Sequence, residues 1–385
     1  MPRSASAPYP LGRPQARRLW LRAQRLDSRA PFGEGPEATR AAVEHLGYVQ
    51  IDTIHVIERC HHHILHSRIP AYQRADLRRA QSVDRSVFEY WTHALAYVPT
   101  RDFRFFVGAM KRDWHRRSTW FGTVTLPYLR RVLGRIEREG ALTIRDIDDE
   151  ALVEKRGLWS SRKPSKRALE MAFYRGEVTI SQRSGMLKTY ELTRRHFGWE
   201  RLPKAAPDKE VLGYLLDRAL RSQGVVSLES VCHGDPARKP AMQRLIEART
   251  RLGELVPVAL EGAETWKHWA EPATLEHVPE PASELVHVLS PFDPLILQRR
   301  RLHAFFGYQH VFEAYLPKEK RQFGYFALPV LVGDAVLALL DLKTDRERRK
   351  LLVQKWTWLA KSGRRPLEGR IEEALHRFEE FQLGS

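Results

Sequence analysis

Apolar positions recur at helical spacing near both ends of the chain. The leucines at 11, 19 and 26 fall on one side of an amphipathic stretch, which predicts a first helix over Leu11 to Leu26. Ile371, Leu375, Phe378 and Phe381 follow one another at spacings of four, three and three, predicting a helix over Pro366 to Gln382 that docks onto the body. Between these ends one pattern repeats: two or three short helices, then two alternating strands around a polar turn. The clearest copy has a helix over Leu126 to Glu139 closed by Gly140, then Thr143 heading a short helix with Ile144, Ile147 and Leu152. A helix from Pro164 to Arg175 follows, and the strands Glu177 to Ser181 and Lys188 to Thr193 flank a basic loop at 182–186.

A second copy has helices over Lys209 to Ser222, Leu228 to Cys232 and Lys239 to Leu252, then strands Leu255 to Leu260 and Glu264 to Trp269. A diverged third copy lies first in the chain, where helices at 11–26 and 36–46 precede Tyr48 to Asp52. Beyond Val286 the texture turns to strands, at Val286 to Leu289, Gln309 to Tyr315, Gly324 to Val332 and Ala335 to Lys343. The last two read as a hairpin about Gly333-Asp334, since that polar break rules out a single membrane span. The expected fold is α+β and mostly helical: three tandem winged-helix units, a small β-barrel and a terminal helix. The expected division is 1–120, 121–205, 206–275, 284–360 and 361–385, with linkers near 202–208 and 271–283.

Charge narrows the function. The 385 residues carry 64 Lys and Arg against 47 Asp and Glu, a net charge of +17 that favours a polyanion, nucleic acid first. With only Cys60 and Cys232, neither a disulfide scaffold nor a cysteine-rich metal site can form, and a reduced cytoplasmic setting fits. The first thirty residues hold seven arginines against Asp27 but no apolar core of a secretory signal.

Candidate chemistry concentrates between His45 and His93, which enclose seven of the sixteen histidines. In an extended Leu46-Gly-Tyr-Val-Gln-Ile-Asp-Thr-Ile54, Gln50 and Asp52 share one face, an acid beside a carboxamide. The alternative is that Asp52 merely caps a helix beginning at Thr53. Downstream, Glu58-Arg-Cys-His-His-His-Ile-Leu-His-Ser-Arg68 puts His62 and His66 four apart. That spacing suits a zinc pair, although position 63 is His where the zincin pattern needs Glu. The histidines otherwise read as polar or phosphate-contacting groups. Phe88-Glu-Tyr-Trp-Thr-His93 offers Tyr90, Trp91 and His93 as a packed segment or as a wall for a nucleobase. Leu289-Ser-Pro-Phe-Asp-Pro-Leu295 leads into Arg299-Arg300-Arg301, a solvated face or a phosphate contact.

Together, Gln50-Ile51-Asp52, the segment Glu58 to Arg68, the block Phe88 to His93 and Leu289 to Leu295 resemble the AlkZ/YcaQ (AlkX) family of winged-helix DNA glycosylases. The resemblance spans nearly the whole chain and extends to the Gln-x-Asp motif of the YcaQ branch. It implies a bacterial, monofunctional enzyme that removes N7-alkylated guanine and unhooks interstrand crosslinks in duplex DNA. Asp52 and Gln50 would be catalytic. Glu58, His61, His62, His63, His66, Arg68, Tyr90, Trp91, His93, Arg183, Arg299 and Arg300 would meet the lesion or the DNA. No metal or other cofactor is expected, and a monomer is favoured because distributed units on one chain already supply a long footprint. The competing readings are a non-catalytic winged-helix regulator and a metal-dependent nuclease built on Glu58, His62 and His66.

Overall fold

A computed structural model describes residues 7–115, 124–147, 163–359 and 364–384. The expected limits at 120/121 and 360/361, and Leu152 of the short helix, lie outside the described residues. The chain gathers into two compact units, one made from residues 1–72 and 212–385, the other from 73–211. It is α+β throughout, and no described helix is long and apolar enough to cross a membrane.

In the first unit, helices Arg13–Ala23 and Gly35–Leu46 precede the short strand Val49–Gln50 and the histidine-bearing helix Cys60–His66. Leu11, Leu19 and Leu26 are all buried, although the helix between them is shorter than the pattern predicts. Tyr9–Leu11 instead forms a parallel edge strand beside Val256–Leu260. Pro10 fits there because an edge strand can spare an amide hydrogen. That sheet continues through His268–Ala270 to Val225–Ser227. Its apolar face joins Trp20, Leu295, Phe305 and Leu331 in one core.

The C-terminal strands depart from expectation twice. Val286–Val288, Ala327–Val332, Ala335–Asp345 and Lys350–Trp358 pair in that order as an antiparallel sheet. The sheet is open, its first and last strands lying at opposite edges, so the expected barrel is not formed among the described residues. Gln309 to Tyr315, expected as a strand, is irregular. Its alternating pattern is overridden by Glu313, which is buried and accepts the amides of Gln322, Phe323 and Gly324 at 2.7, 2.6 and 3.1 Å. The fourth strand is Lys350–Trp358, a half-exposed edge. The turn at Gly333, with φ +58°, forms where the pattern puts it. Helix Arg364–Leu383 buries Ile371, Leu375, Phe378 and Phe381, the face predicted.

In the second unit, helix Leu126–Glu139, strand Leu142–Thr143, helix Pro164–Tyr174 and hairpin Val178–Ser184/Leu187–Leu192 follow the expected order. Hairpin Val87–Trp91/Leu95–Pro99 packs Phe88 against Phe103, Phe106 and Phe197.

A buried ion pair fixes the first unit. Arg68 is fully buried and all five of its N–H groups are used. Nε and Nη2 donate to the backbone and side-chain oxygens of Gln24, both at 2.9 Å, and Nη1 donates to Ile64 O at 3.1 Å. The remaining two donate to Asp293 Oδ2 and Oδ1 at 2.8 and 3.1 Å. Asp293 also caps helix Pro294–Leu297 through Leu295 N. Removing one partner strands a charge in the core, so Arg68→Ala should lower stability by about 3–5 kcal/mol. Exposed Arg299→Ala should change it by less than about 0.5 kcal/mol. Urea unfolding of the two variants checks this, and equal midpoints would refute it.

Burial also pushes His45, His63, His196, His268, His287 and His310 down to about 4, from 6.5. His45, His63 and His287 each face a backbone carbonyl through Nε2, so the hydrogen of the neutral ring sits there. The unfolded chain takes up these protons below about pH 6.5, the folded chain only near 4. Stability is therefore complete above the first value and declines as pH falls toward the second. Thermal melts should show a level Tm at about pH 7 to 8 and a progressive fall between 6.5 and 4; a level Tm through that window would contradict the burial.

Candidate active site

The site begins where helix Gly35–Leu46 ends. Gly47 closes that helix with φ +77°, a left-handed turn that glycine adopts without steric cost, and the chain enters strand Val49–Gln50. Residues 51–59 form an irregular loop, and the next helix starts at Cys60. Asp52 is therefore not the cap of a helix beginning at Thr53. It is half-buried, and its Oδ1 accepts Ile54 N at 2.9 Å, a local turn that holds the carboxylate at the loop's start. Gln50 is 6% exposed and Ile51 is buried as well, so the simple division into a polar and an apolar face does not hold.

The loop is gripped along its far side. Val56 O accepts Thr344 N at 2.9 Å, and Ile57 O accepts Arg346 Nη2 at 3.3 Å. Glu58 N donates to Gln382 Oε1 at 2.6 Å, and the same oxygen accepts Thr344 Oγ1 at 3.1 Å. The buried Glu58 carboxylate accepts Arg59 N at 2.8 Å and lies 3.4 Å from His55 Nε2. Cys60 Sγ donates to Gln50 O at 3.1 Å, tying the strand to the helix start. Burial, then the charge of Asp52, pushes this thiol well above its ordinary range.

The histidine run has a structural share larger than its sequence suggests. His61 and His63 are buried. His63 donates to Val288 O at 2.8 Å and packs on Phe378, while His66 stacks on Phe381 at 4.0 Å. His62 Nδ1 lies 2.6 Å from Tyr72 Oη. The run thus does not meet the DNA as a whole; within it only His62 and His66 are partly exposed. Among the described residues no three histidine, cysteine or acidic side chains gather as a metal would need, which removes the geometric basis for the Glu58, His62 and His66 nuclease.

Other expected DNA contacts are corrected. Arg68 has no donor left for a phosphate. In the second unit Arg183 is mostly buried and pairs with Glu89 at 2.5 and 2.6 Å, an acid that also accepts Gln81 Nε2. Its guanidinium braces the hairpin instead of reaching outward. Tyr90 is buried with its hydroxyl on Tyr174 O, whereas Trp91 is exposed and stacks on Tyr174, and His93 is half-buried. Arg299 and Arg300 are exposed, Arg300 lying 4.4 Å above the Trp266 ring, but Arg301 is buried over Trp20 and Phe305. Thr344, Arg346 and Gln382 are not legible in the sequence, and Asp293, within the segment Leu289 to Leu295, is legible as a residue but not as the partner of Arg68. The one local signal was Asp293-Pro294, a recognisable cap.

A cavity of about 590 Å³ is lined by Arg29, His66, Tyr72, Arg377 and Phe381 among others; neither Gln50 nor Asp52 is among its walls. Asp52 thus offers a partly solvated carboxylate on a fixed loop, able to activate water or to face a developing cation. The structure is similar to that of the Streptomyces sahachiroi DNA glycosylase AlkZ, with a TM-score of 0.64 at 17% identity over 97% of each chain. The AlkZ-like DNA glycosylase family matches residues 43–381, from ahead of the Gln50–Asp52 loop to within the terminal helix. On that match the chain belongs to the AlkZ-like DNA glycosylase family.

Proposed function

We propose that this DNA glycosylase hydrolyses the N-glycosidic bond of N7-alkylated guanine in duplex DNA, including guanine tied into interstrand crosslinks. Asp52 would be the general base and Gln50 its partner in placing water, as in the YcaQ branch. The observation that carries this reading is the half-exposed Asp52 carboxylate on a loop held from both sides. Alkylation at N7 makes guanine cationic, so it leaves without the protonated acid that a sugar oxygen requires. One carboxylate then suffices. Water oxygen bonds to C1′ as the C1′–N9 bond breaks, its electron pair neutralises the departing base, and Asp52 takes the water's proton. The same charge offsets the positive charge that develops at the sugar.

The partial exposure of Asp52 suits a base that a crosslink keeps from swinging out. The helix and hairpin orders over 124–197 and 208–270 support winged-helix units that follow the duplex as a basic cradle, with the N-terminal segment as a diverged third. We extend this reading to the limits of the five-part division, with an open sheet in place of the barrel, and to action as a monomer.

Asp52→Asn should lower base release from a duplex containing N7-methylguanine by about 10²- to 10⁴-fold, with duplex affinity unchanged. Alkali-dependent strand cleavage measures the first and fluorescence anisotropy the second. Asp52→Asn with wild-type release would sink the assignment. Gln382 acts as a positioning residue through Glu58 N. Gln382→Ala should therefore reduce kcat about tenfold with little change in KM, and Gln382→Glu, which keeps the accepting oxygen, should restore most of it. Equal kcat for wild type and Gln382→Ala would show that the loop does not depend on this bond.

A further inference from the structure

The irregular segment that replaces the expected strand at 309–315 presents a feature the catalytic loop does not explain. Tyr315 is 73% exposed, with Leu316 at 37% and Val311 at 39% beside it. Lys318 and Lys320 flank Glu319 on a short 3-10 turn, with Arg321 next, a run that is net positive. Nothing in the packing of the first unit calls for an aromatic ring in solvent, since burying such a side chain is favourable.

The segment is held rigid from beneath. Burial alone would raise the Glu313 carboxyl, but the amides of Gln322, Phe323 and Gly324 bonded to it leave it below its ordinary value. Leu316 N donates to Glu313 O at 2.9 Å, and Arg321 Nε to Leu316 O at 2.9 Å. Lys355 Nζ donates to Gln322 O at 2.7 Å. Phe312 packs on Phe292 and Phe326, and the edge of Tyr315 leans on Phe312 at 5.7 Å. Phe292 adjoins Asp293, the partner of Arg68, so the tip belongs to the body that carries Asp52. A ring fixed in advance loses little conformational freedom on binding.

We infer that the loop 311–322 is a DNA-contacting element in which Tyr315 and Leu316 press against an exposed base step while Lys318 and Lys320 face phosphates. An aromatic and a leucine side by side form the kind of wedge that enters between base pairs, and the adjoining cations select a polyanion over an apolar protein face. This rests on the reading that the chain acts on duplex DNA.

The test compares wild type, Tyr315→Ala, Tyr315→Trp, Lys318→Ala/Lys320→Ala and the control Val353→Ala, a residue 47% exposed on the edge strand Lys350–Trp358. Duplex affinity is measured by anisotropy over a salt series, self-association by sedimentation and folding by thermal melts. Tyr315→Ala should weaken duplex binding about tenfold at an unchanged Tm, with Tyr315→Trp near wild type and Val353→Ala unaffected. The double lysine variant should flatten the log–log salt slope by about 2. Tyr315→Ala binding like wild type would overturn the inference and leave the glycosylase reading intact. A wild type that does not bind duplex would overturn both. Tyr315→Ala that changes only sedimentation would assign the loop to a second copy of the chain and overturn the DNA contact.

Discussion

The guanidinium of Arg68 has five N–H donors and no water to satisfy them, so each needs an acceptor inside the protein. Three sequence regions supply them: Gln24, Ile64 and Asp293. Gln24 in turn donates to Ser222 O, and Asp293 starts the helix that leads to the exposed arginines. Such a pair adds little net stability over an apolar replacement, because desolvating two charges offsets most of their attraction. Its consequence is geometric. With a planar fork gripping a carboxylate, the histidine helix has one register against Val286–Val288, and His63 reaches Val288 O only in that register.

The loop that carries Asp52 inherits this fixity at its C-terminal side and receives the rest from residues between 288 and 324 positions later. Thr344, Arg346 and Gln382 hold Val56, Ile57 and Glu58. This explains why one compact unit is built from both ends of the chain, with 73–211 folded as a separate insertion. A loop with few internal hydrogen bonds would sample many conformations, and general-base chemistry tolerates little displacement of the base. External clamps solve that problem without burying Asp52 beneath regular structure. They also explain why Glu58, which the sequence offered as a DNA contact, is buried at the loop's base.

Local patterns survive in the structure where local forces dominate. The terminal helix shows its predicted face, Gly333 turns its hairpin, and Leu126–Glu139 ends at Gly140 as its spacing implies. The failures have a common physical origin. Gln309 to Tyr315 alternates like a strand, but one buried carboxylate closes three amides at its far end, and that long-range bond outweighs the alternation. Arg68 and Arg183 look like phosphate ligands because sequence shows their charge and hides their partners, Asp293 and Glu89. The histidine run likewise announces chemistry, yet two of its members serve as core packing and hydrogen-bond donors. Gln50 and Asp52 stood out as a pair of residue types; that Gln50 is buried, with its backbone carbonyl accepting the Cys60 thiol, no spacing reveals.

The charge state of that thiol bears on the proposed chemistry. Cys60 lies close enough to Asp52 for the carboxylate charge to act on its thiol, and a thiolate there could attack C1′ in place of water. Burial and the neighbouring carboxylate hold its proton, and the bond to Gln50 O uses that proton. In the proposed reaction water is left as the nucleophile and the half-buried Asp52 as the more accessible carboxylate of the loop, with Glu58 buried and engaged by Arg59 N and His55. His63, pushed down to about 4 by burial, adds no positive charge at neutral pH that would oppose a cationic base. A substrate that brings its own positive charge is then met by a single negative one. That arrangement would favour departure of a cationic base over release of neutral guanine, as the proposed action on alkylated DNA requires.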